Sequence, residues 1–389
     1  MVRLRLRKVM NKKNNFRHSK ILLVTPRFPP DVGGVAQAVW RQAQQLSNQG
    51  HTVSVWVNSP GLHPESPPCE VLRFRSVEET NPILILKKLE EAPPDLIHAY
   101  YLSATAHLSL ELGKAFKIPV ILSARGNDLD RDLWFPHKRS ELLSWLPQAQ
   151  GLSGVTQALT KKLKVLVPQN ECIRWVPNSV DPLKFKPLPR EKAIAKKFKI
   201  PTQGQRLGFV GELRQKKGEA ILLLSFATLA KEFPELSLIL IGTVRSGKDS
   251  ELLKIFLSQN PELKNRIFHI PNQAPGDLPP LYAWLDGVLF PSLQEGLSNA
   301  ALEALSCARP VIATEVGGFP DLIHTGQEGQ LILPYQTEAL IEACRELLKN
   351  PEQGKAWGKA GRKKIKAYFS PEQELQNWLT LYSEVLAQF

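Results

Sequence analysis

The residues best placed to do chemistry are two carboxylates in one stretch, Glu295 and Glu303, with seven residues between them in PSLQEGLSNAALEALSCARPVIATEVGGFPDLI, residues 291–323. The apolar run Gly287 to Phe290 reads as the end of a strand. Pro291 and Ser292 stop it, and Gly296 turns the chain into a helix for which Ser298 or Asn299 is the cap. A helix opening there aims unpaired N–H groups and the positive end of its dipole at whatever lies above the sheet, which suits a phosphate or diphosphate. Glu295 stands in the loop beside that helix end. Glu303 lies one to two turns in, its side chain leaning back towards the N-terminus. Carboxylates near an anion site repel it unless they bind neutral hydroxyls, so a ribose and a sugar ring are the fitting partners. The expected ligand is a nucleotide sugar. The plainer alternative is an amphipathic helix with two solvated glutamates.

The elements that must position these residues are those of an α/β protein. ILLVT (Ile21 to Thr25) reads as a buried parallel strand. A Pro-rich loop, the pair Gly33-Gly34, a helix from about Ala36 to Asn48 and a second strand complete a βαβ unit. Gly33-Gly34 lets the backbone approach a ligand closely, although such a pair also serves as an ordinary turn. The same alternation of strand and helix recurs to the C-terminus, so two doubly wound domains are expected, with ligand at the carboxyl ends of the strands.

At 389 residues the chain is long enough for two or three domains with ample core. Cys69, Cys172, Cys307 and Cys344 are too scattered for a CxxC metal site or a dense disulfide framework, which points to a reducing compartment. No apolar run approaches the length of a membrane span, and the N-terminus lacks the apolar segment of a signal peptide, so a cytoplasmic protein is expected. The net charge of +13 is unevenly spread. Residues 1–200 carry 31 Lys and Arg against 16 Asp and Glu, whereas residues 201–389 carry 19 against 21. Such asymmetry suits an anionic membrane surface, an anionic acceptor or nucleic acid. Residues 1–20 hold eight of the cations and no acid. They read as a solvated tail or an electrostatic tether, and they lack the interleaved aromatics of a nucleic-acid binder.

The run E-G-L-S-N-A-A-L-E-A, with the following A-R-P-V-I-A-T-E-V-G-G and P-D-L-I, closely resembles the donor-site signature of the family 4 glycosyltransferases, retaining enzymes of the GT-B fold. The resemblance extends over residues 20 to 389. It implies that Glu295 contacts the transferred sugar and Glu303 the ribose, with Gly296, Leu297, Ser298 and Asn299 on the donor side. It sets Gly33 and Gly34 in a glycine-rich loop facing the donor phosphates. The family loop G-R-L-x-x-x-K-G, whose Arg and Lys grip the distal phosphate, appears here as G-E-L-R-Q-K-K-G. Lys217 falls on the family's lysine, but Glu212 takes the arginine's place. Arg214, two residues on, is expected to substitute, since a diphosphate leaving group needs fixed positive charge where negative charge develops; the alternative is that it points to solvent. Many members carry His-x-His near the transferred sugar, where this chain has His98 and Tyr100, and Tyr is no base at neutral pH. Arg125, Asn127 and Asp128 match a (His/Arg)-Gly-x-Asp turn on the sugar or acceptor side, and Asp128 equally reads as a cap for the next turn. VPNSVDPLKFKP matches the element P-N-x-V-D-x-x-x-F. No metal triad is implied, so no cofactor or metal is expected beyond the nucleotide sugar.

The expectation is therefore a GT-B protein: a basic tail over 1–19, an acceptor-side Rossmann-like domain over 20–185 and a linker over 186–204. A donor-binding Rossmann-like domain over 205–370 faces the first across a cleft, and a helix over 371–389 crosses back to the first domain. Its activity would be retaining transfer of a hexose-type sugar from a UDP, GDP or ADP sugar to a glycan or lipid-linked acceptor in polysaccharide biosynthesis. It would be cytoplasmic, with an anionic membrane surface as a candidate partner and no nucleic acid. A GT-B sugar-nucleotide epimerase is the enzymatic alternative, and a basic membrane- or nucleic-acid-binding protein the non-catalytic one. A P-loop is a weaker rival: Gly242, Gly247 and Lys248 have its spacing, but Asp249 stands where Ser or Thr should ligand magnesium.

Overall fold

A computed structural model of the chain describes residues 18–31, 33–62, 65–74, 82–244 and 248–389. Most of the basic tail, and residues 245–247 of the P-loop-like stretch, lie outside the described residues. The chain divides into two compact units, one of residues up to Asn178 together with Glu374–Phe389, the other Ser179–Gln373.

In the first unit the chain order is β1 (Lys20–Thr25), α1 (Gly34–Asn48), β2 (Thr52–Val57), β3 (Glu70–Arg73), α2 (Pro82–Glu91), β4 (Leu96–Tyr100), α3 (Leu102–Phe116) and β5 (Val120–Ala124). There follow α4 (Asn127–Asp130), a 3₁₀ turn at Asp132–Trp134, α5 (Pro136–Trp145), β6 (Gly151–Gly154), α6 (Gln157–Leu166) and β7 (Ile173–Trp175). Among the described residues the strands form a seven-stranded sheet in the order β3-β2-β1-β4-β5-β6-β7. β4 and β5 are buried along their whole length, as expected of parallel strands covered on both faces. Helix α1 starts at Gly34 rather than Ala36, because Gly33 at φ 144° supplies the turn into it.

The second unit runs α7 (Lys192–Phe198), β8 (Arg206–Val210), α8 (Glu219–Glu232), β9 (Ser237–Ile241), α9 (Lys248–Gln259), β10 (Ile267–Ile270), α10 (Leu278–Tyr282) and β11 (Gly287–Phe290). It continues with α11 (Asn299–Ser306), β12 (Val311–Thr314), α12 (Phe319–Leu322), β13 (Gly329–Ile332), α13 (Thr337–Lys349) and α14 (Pro351–Tyr368). Its parallel strands are ordered β10-β9-β8-β11-β12-β13.

The last helix, α15 (Pro371–Gln388), returns to the first unit, where Trp378, Leu381, Tyr382 and Val385 pack into the core with Leu23, Val39 and Tyr100. The expected boundary at 185/186 shifts to between Asn178 and Ser179. Residues 179–185 are tied to the second unit instead. The Val180 N–H donates to the Phe369 carbonyl at 3.0 Å, and the Phe185 carbonyl accepts from Ser306 at 2.6 Å and from Arg362 at 3.1 Å. No helix among the described residues is long and apolar enough to cross a membrane.

Candidate functional site

The winding of the second sheet reverses between β8 and β11, and loops leaving the carboxyl ends of two such strands frame the crevice where doubly wound sheets hold ligands. Lys217 comes from the loop after β8 and Glu295 from the loop after β11. Their side chains form an ion pair, 19% and 13% exposed. Backbone contacts hold the two loops together. The Leu293 N–H donates to the Lys216 carbonyl at 2.9 Å, and Gly218, at φ 76°, lies so near Pro291 that a Cβ would overlap its carbonyl oxygen. On the far side the Gly318 N–H donates to the Gly296 carbonyl at 2.7 Å, and a Cβ on Gly317 would overlap the Glu295 carbonyl. The left-handed backbone of this region therefore belongs to Gly317, at φ 57°, and not to Gly296, the expected turn glycine.

Helix α11 opens beside this pair. Ser298, not Asn299, is the cap, its hydroxyl accepting from the Ala301 N–H at 3.3 Å; Asn299 is the first helical residue. Leu297 is buried beneath the turn, and no acidic residue occupies the first turn, so the positive end of the helix is not neutralised from within. Glu303, one turn in, has the Tyr282 hydroxyl 3.0 Å from Oε2. Burial pushes the Glu303 carboxyl up to about 7, against the opposing pull of Tyr282 and Lys184.

Arg214 begins the turn that carries Lys217, and Nη1 pairs with Glu212 at 3.1 Å, while its buried Nε has no hydrogen-bond partner. The acid in the family arginine's place thus holds the arginine two residues on. Lys216 was not singled out from the sequence. Its ammonium falls below the usual lysine range because it is partly buried and stands beside Arg214 and Lys217. Three cations crowded on one short loop suit a polyanion. The sequence signal for it is the doubled lysine in Q-K-K-G.

In the first unit the predicted residues fare differently. His98 and Tyr100, two apart on β4, share the face covered by α1 and α15. Both are fully buried, with ring centroids 4.4 Å apart. His98 Nδ1 lies 2.7 Å from the Tyr382 hydroxyl and Nε2 2.6 Å from Ser123 Oγ, which in turn lies 2.6 Å from Ser153 Oγ. The Tyr100 hydroxyl donates to Gln42 Oε1, and Gln42 Nε2 donates to the Tyr382 hydroxyl at 2.5 Å. The placement of His98 and Tyr100 on the acceptor or sugar side is corrected accordingly: their polar atoms are spent inside the unit, under the C-terminal helix that crosses back onto it. Burial holds the His98 imidazole well below its ordinary pKa, with Arg125 adding to the effect.

Arg125 lies at the end of β5 with its guanidinium 5.2 Å over the Tyr100 ring and a hydrogen bond to Asn178. Asp128 serves the start of α3 and its own preceding loop, not the turn that follows it. Its carboxylate accepts from the Arg125 N–H at 2.9 Å and from Leu102, the first residue of α3, at 2.9 Å. Burial raises it to about 6 even so. Asn127 opens α4 half-buried, and Gly33 precedes α1 with Gly34 as the first helical residue.

Residues 32–183 match the family described as Glycosyltransferase Family 4, and residues 190–364 the family described as Glycosyl transferases group 1. The chain belongs to these family 4, group 1 glycosyltransferases. A D-inositol 3-phosphate glycosyltransferase of Corynebacterium jeikeium is 24% identical over 365 residues, 82% of this chain and 84% of that one. Another, of Salinispora tropica, is 27% identical over 233 residues, 58% of this chain and 47% of its own length. The chain spans less than half the length of several curated relatives it matches. Among solved structures it is similar to Anabaena HepE in complex with UDP-glucose, with a TM-score of 0.79 at 20% identity over 96% of this chain and 100% of that one. The architecture is GT-B.

Proposed function

We propose that this chain transfers a hexose-type sugar from a nucleotide diphosphate sugar to a hydroxyl acceptor, with retention of configuration. The observation that carries this reading is the Lys217–Glu295 pair at the strand-order reversal, beside the N-terminus of α11, whose first turn holds no acid. In the reaction the bond from the anomeric carbon to the leaving phosphate oxygen breaks, and a bond to the acceptor oxygen forms on the same face. The acceptor proton passes to the departing phosphate. Lys217 and Arg214, with the α11 dipole, stabilise the charge that grows on the diphosphate. Glu295 accepts hydrogen bonds from the sugar hydroxyls, and its ion pair with Lys217 keeps both residues in place before the donor arrives. Glu303, oriented by Tyr282, accepts from the ribose. Arg125 and Asn127 of the first unit are assigned to the acceptor side.

A UDP-type donor is favoured by the likeness to a protein solved with UDP-glucose, and GDP and ADP sugars are the alternatives. The acceptor is read as a lipid-linked or cell-envelope glycan, in keeping with the positive charge of residues 1–200. Metal independence follows from the use of Lys217 and Arg214 as the countercharge, and chelation is expected to leave the rate unchanged. A thermal-shift panel of UDP, GDP, ADP and their sugars, run in parallel on Glu303→Ala, tests the donor site. One nucleotide series should stabilise the parent and lose its effect in the variant. Stabilisation that survives the substitution would overturn the ribose assignment.

A further inference from the structure

The segment that follows the Arg125–Asp128 turn carries a surface the transfer reaction does not use. Trp134 is 83% exposed, Phe135 45% and Leu143 44%. Trp is highly buried on average, and two adjacent aromatics in water make an apolar patch of the kind that marks an interaction site. The structure beneath is firm. Asp132 is fully buried, and its Oδ1 is met by Arg131 at 3.0 Å and Lys138 at 3.3 Å, so the turn bearing Trp134 and Phe135 is pinned from below.

Positive charge rims the patch. Arg131 and Lys138 each keep part of the side chain in solvent, the Lys138 ammonium lies 5.8 Å over the Phe135 ring, and Arg139 is exposed on α5. Lys162 of α6 reaches across to Asp130, joining a second basic surface to the first. That helix exposes Lys161, Lys162 and Lys164 and has no acidic residue. Of the acids in the neighbourhood, Asp132 is buried and Asp130 is paired, which leaves Glu141 as the acid on the exposed face of α5. Indole and phenyl rings at the tip with cations behind them match a bilayer interface, where aromatics sit at headgroup depth and Lys and Arg meet anionic lipid. A sugar platform would instead set hydrogen-bonding carboxylates or amides beside the ring, and the neighbours here are cations.

We infer that Trp134 and Phe135, with Arg131, Lys138, Arg139 and Lys162, form a docking surface for an anionic lipid bilayer. It is independent of the transfer reaction, and its failure would leave that reading intact.

The test is co-sedimentation of the full chain with phosphatidylcholine vesicles, with and without phosphatidylglycerol, in the absence of sugar donor. Binding is expected to require phosphatidylglycerol, to weaken with added salt, and to fall about tenfold or more in the double variant Trp134→Ser, Phe135→Ser. Both side chains are exposed, so the variant should keep the parent's circular dichroism and Tm. A full-length variant with the cations of residues 3–17 replaced by glutamine separates the basic tail from the patch and should retain most of the binding. Absence of binding, equal binding to neutral vesicles, or full binding by the double variant would each overturn the inference. So would tryptophan fluorescence that responds to soluble oligosaccharide, lost on Trp134→Phe, without vesicle binding.

Discussion

Polar residues on the strands, loops and helices of the two sheets have opposite fates in the two units. In the first unit His98, Tyr100, Gln42 and Ser123 are wholly buried and bonded to one another and to Tyr382 of the returning helix. In the second, Lys217, Glu295, Arg214 and Glu303 remain part-exposed, held by one or two partners each. A buried network satisfied throughout specifies a core and has no capacity left for a substrate. A charged pair at a rim keeps its residues aimed while leaving lone pairs and protons for a ligand. On the proposed reading, a structural polar residue differs from a catalytic one in whether its hydrogen-bonding capacity is already used.

The largest expected effect tests the rim. Lys217→Ala should lower kcat by about 10²–10³-fold, the usual loss on removing a group aimed at developing charge. Glu295→Ala should cost well over tenfold in transfer, with circular dichroism and Tm close to the parent in both. Unchanged turnover in either variant would break the comparison at its catalytic end.

The buried network should answer in stability instead. His98→Ala strands the Tyr382 and Ser123 hydroxyls and opens a cavity, so urea unfolding should show a loss of about 2–4 kcal/mol. The kcat of the molecules that remain folded should stay near the parent's. Because burial lowers the His98 pKa, the unfolded chain binds more protons below pH 6.5, and this residue's contribution is lost as pH falls below that value. The acid slope of stability should therefore flatten in His98→Gln.

Arg214 sharpens the comparison within one loop. Arg214→Ala should cost about tenfold in kcat/KM. Adding Glu212→Arg to that variant should return part of the loss, since it restores a cation at the family position and removes an acid that pairs with Arg214. No loss in the single variant would send Arg214 to the solvent role.

The smallest effect is the pH dependence of Glu303. Its folded pKa of about 7 lies above the unfolded value, so its contribution is fully present at low pH and is lost as pH rises through 7. Glu303→Gln should raise Tm relative to the parent by a few degrees at pH 8 but not at pH 5, while weakening nucleotide binding. An equal shift at both pH values would mean that the charge carries no burial cost.

Much of the proposed donor side was legible because it is local. The strand, the Ser298 cap, the helix and the spacing of Glu295 and Glu303 all lie within one stretch. Asp128 reads as a cap for its own next turn, whereas the structure brings the Leu102 N–H to it from a different strand–helix connection. His98 and Tyr100 misled because a strand end says which face a side chain takes but not what covers that face, and the cover comes from residues 374–385. Tyr282 is illegible because it gains meaning only from Glu303, 21 residues further on, whereas the doubled lysine displays Lys216 beside Lys217 and only its partial burial needs the structure.

By itself the sequence determined the alternation of parallel strands and helices, the glycine and cap positions that start α11, and the residue types of the donor signature. These follow from short-range sterics, hydrogen bonding and periodicity, which act within a few residues. Only the tertiary structure decided that Gly218 and Gly317 clamp the two rim loops so that Lys217 meets Glu295, and that α15 buries His98. Those outcomes depend on which surfaces meet when the sheets are covered, and close packing between distant segments is not written in the local chemistry of either.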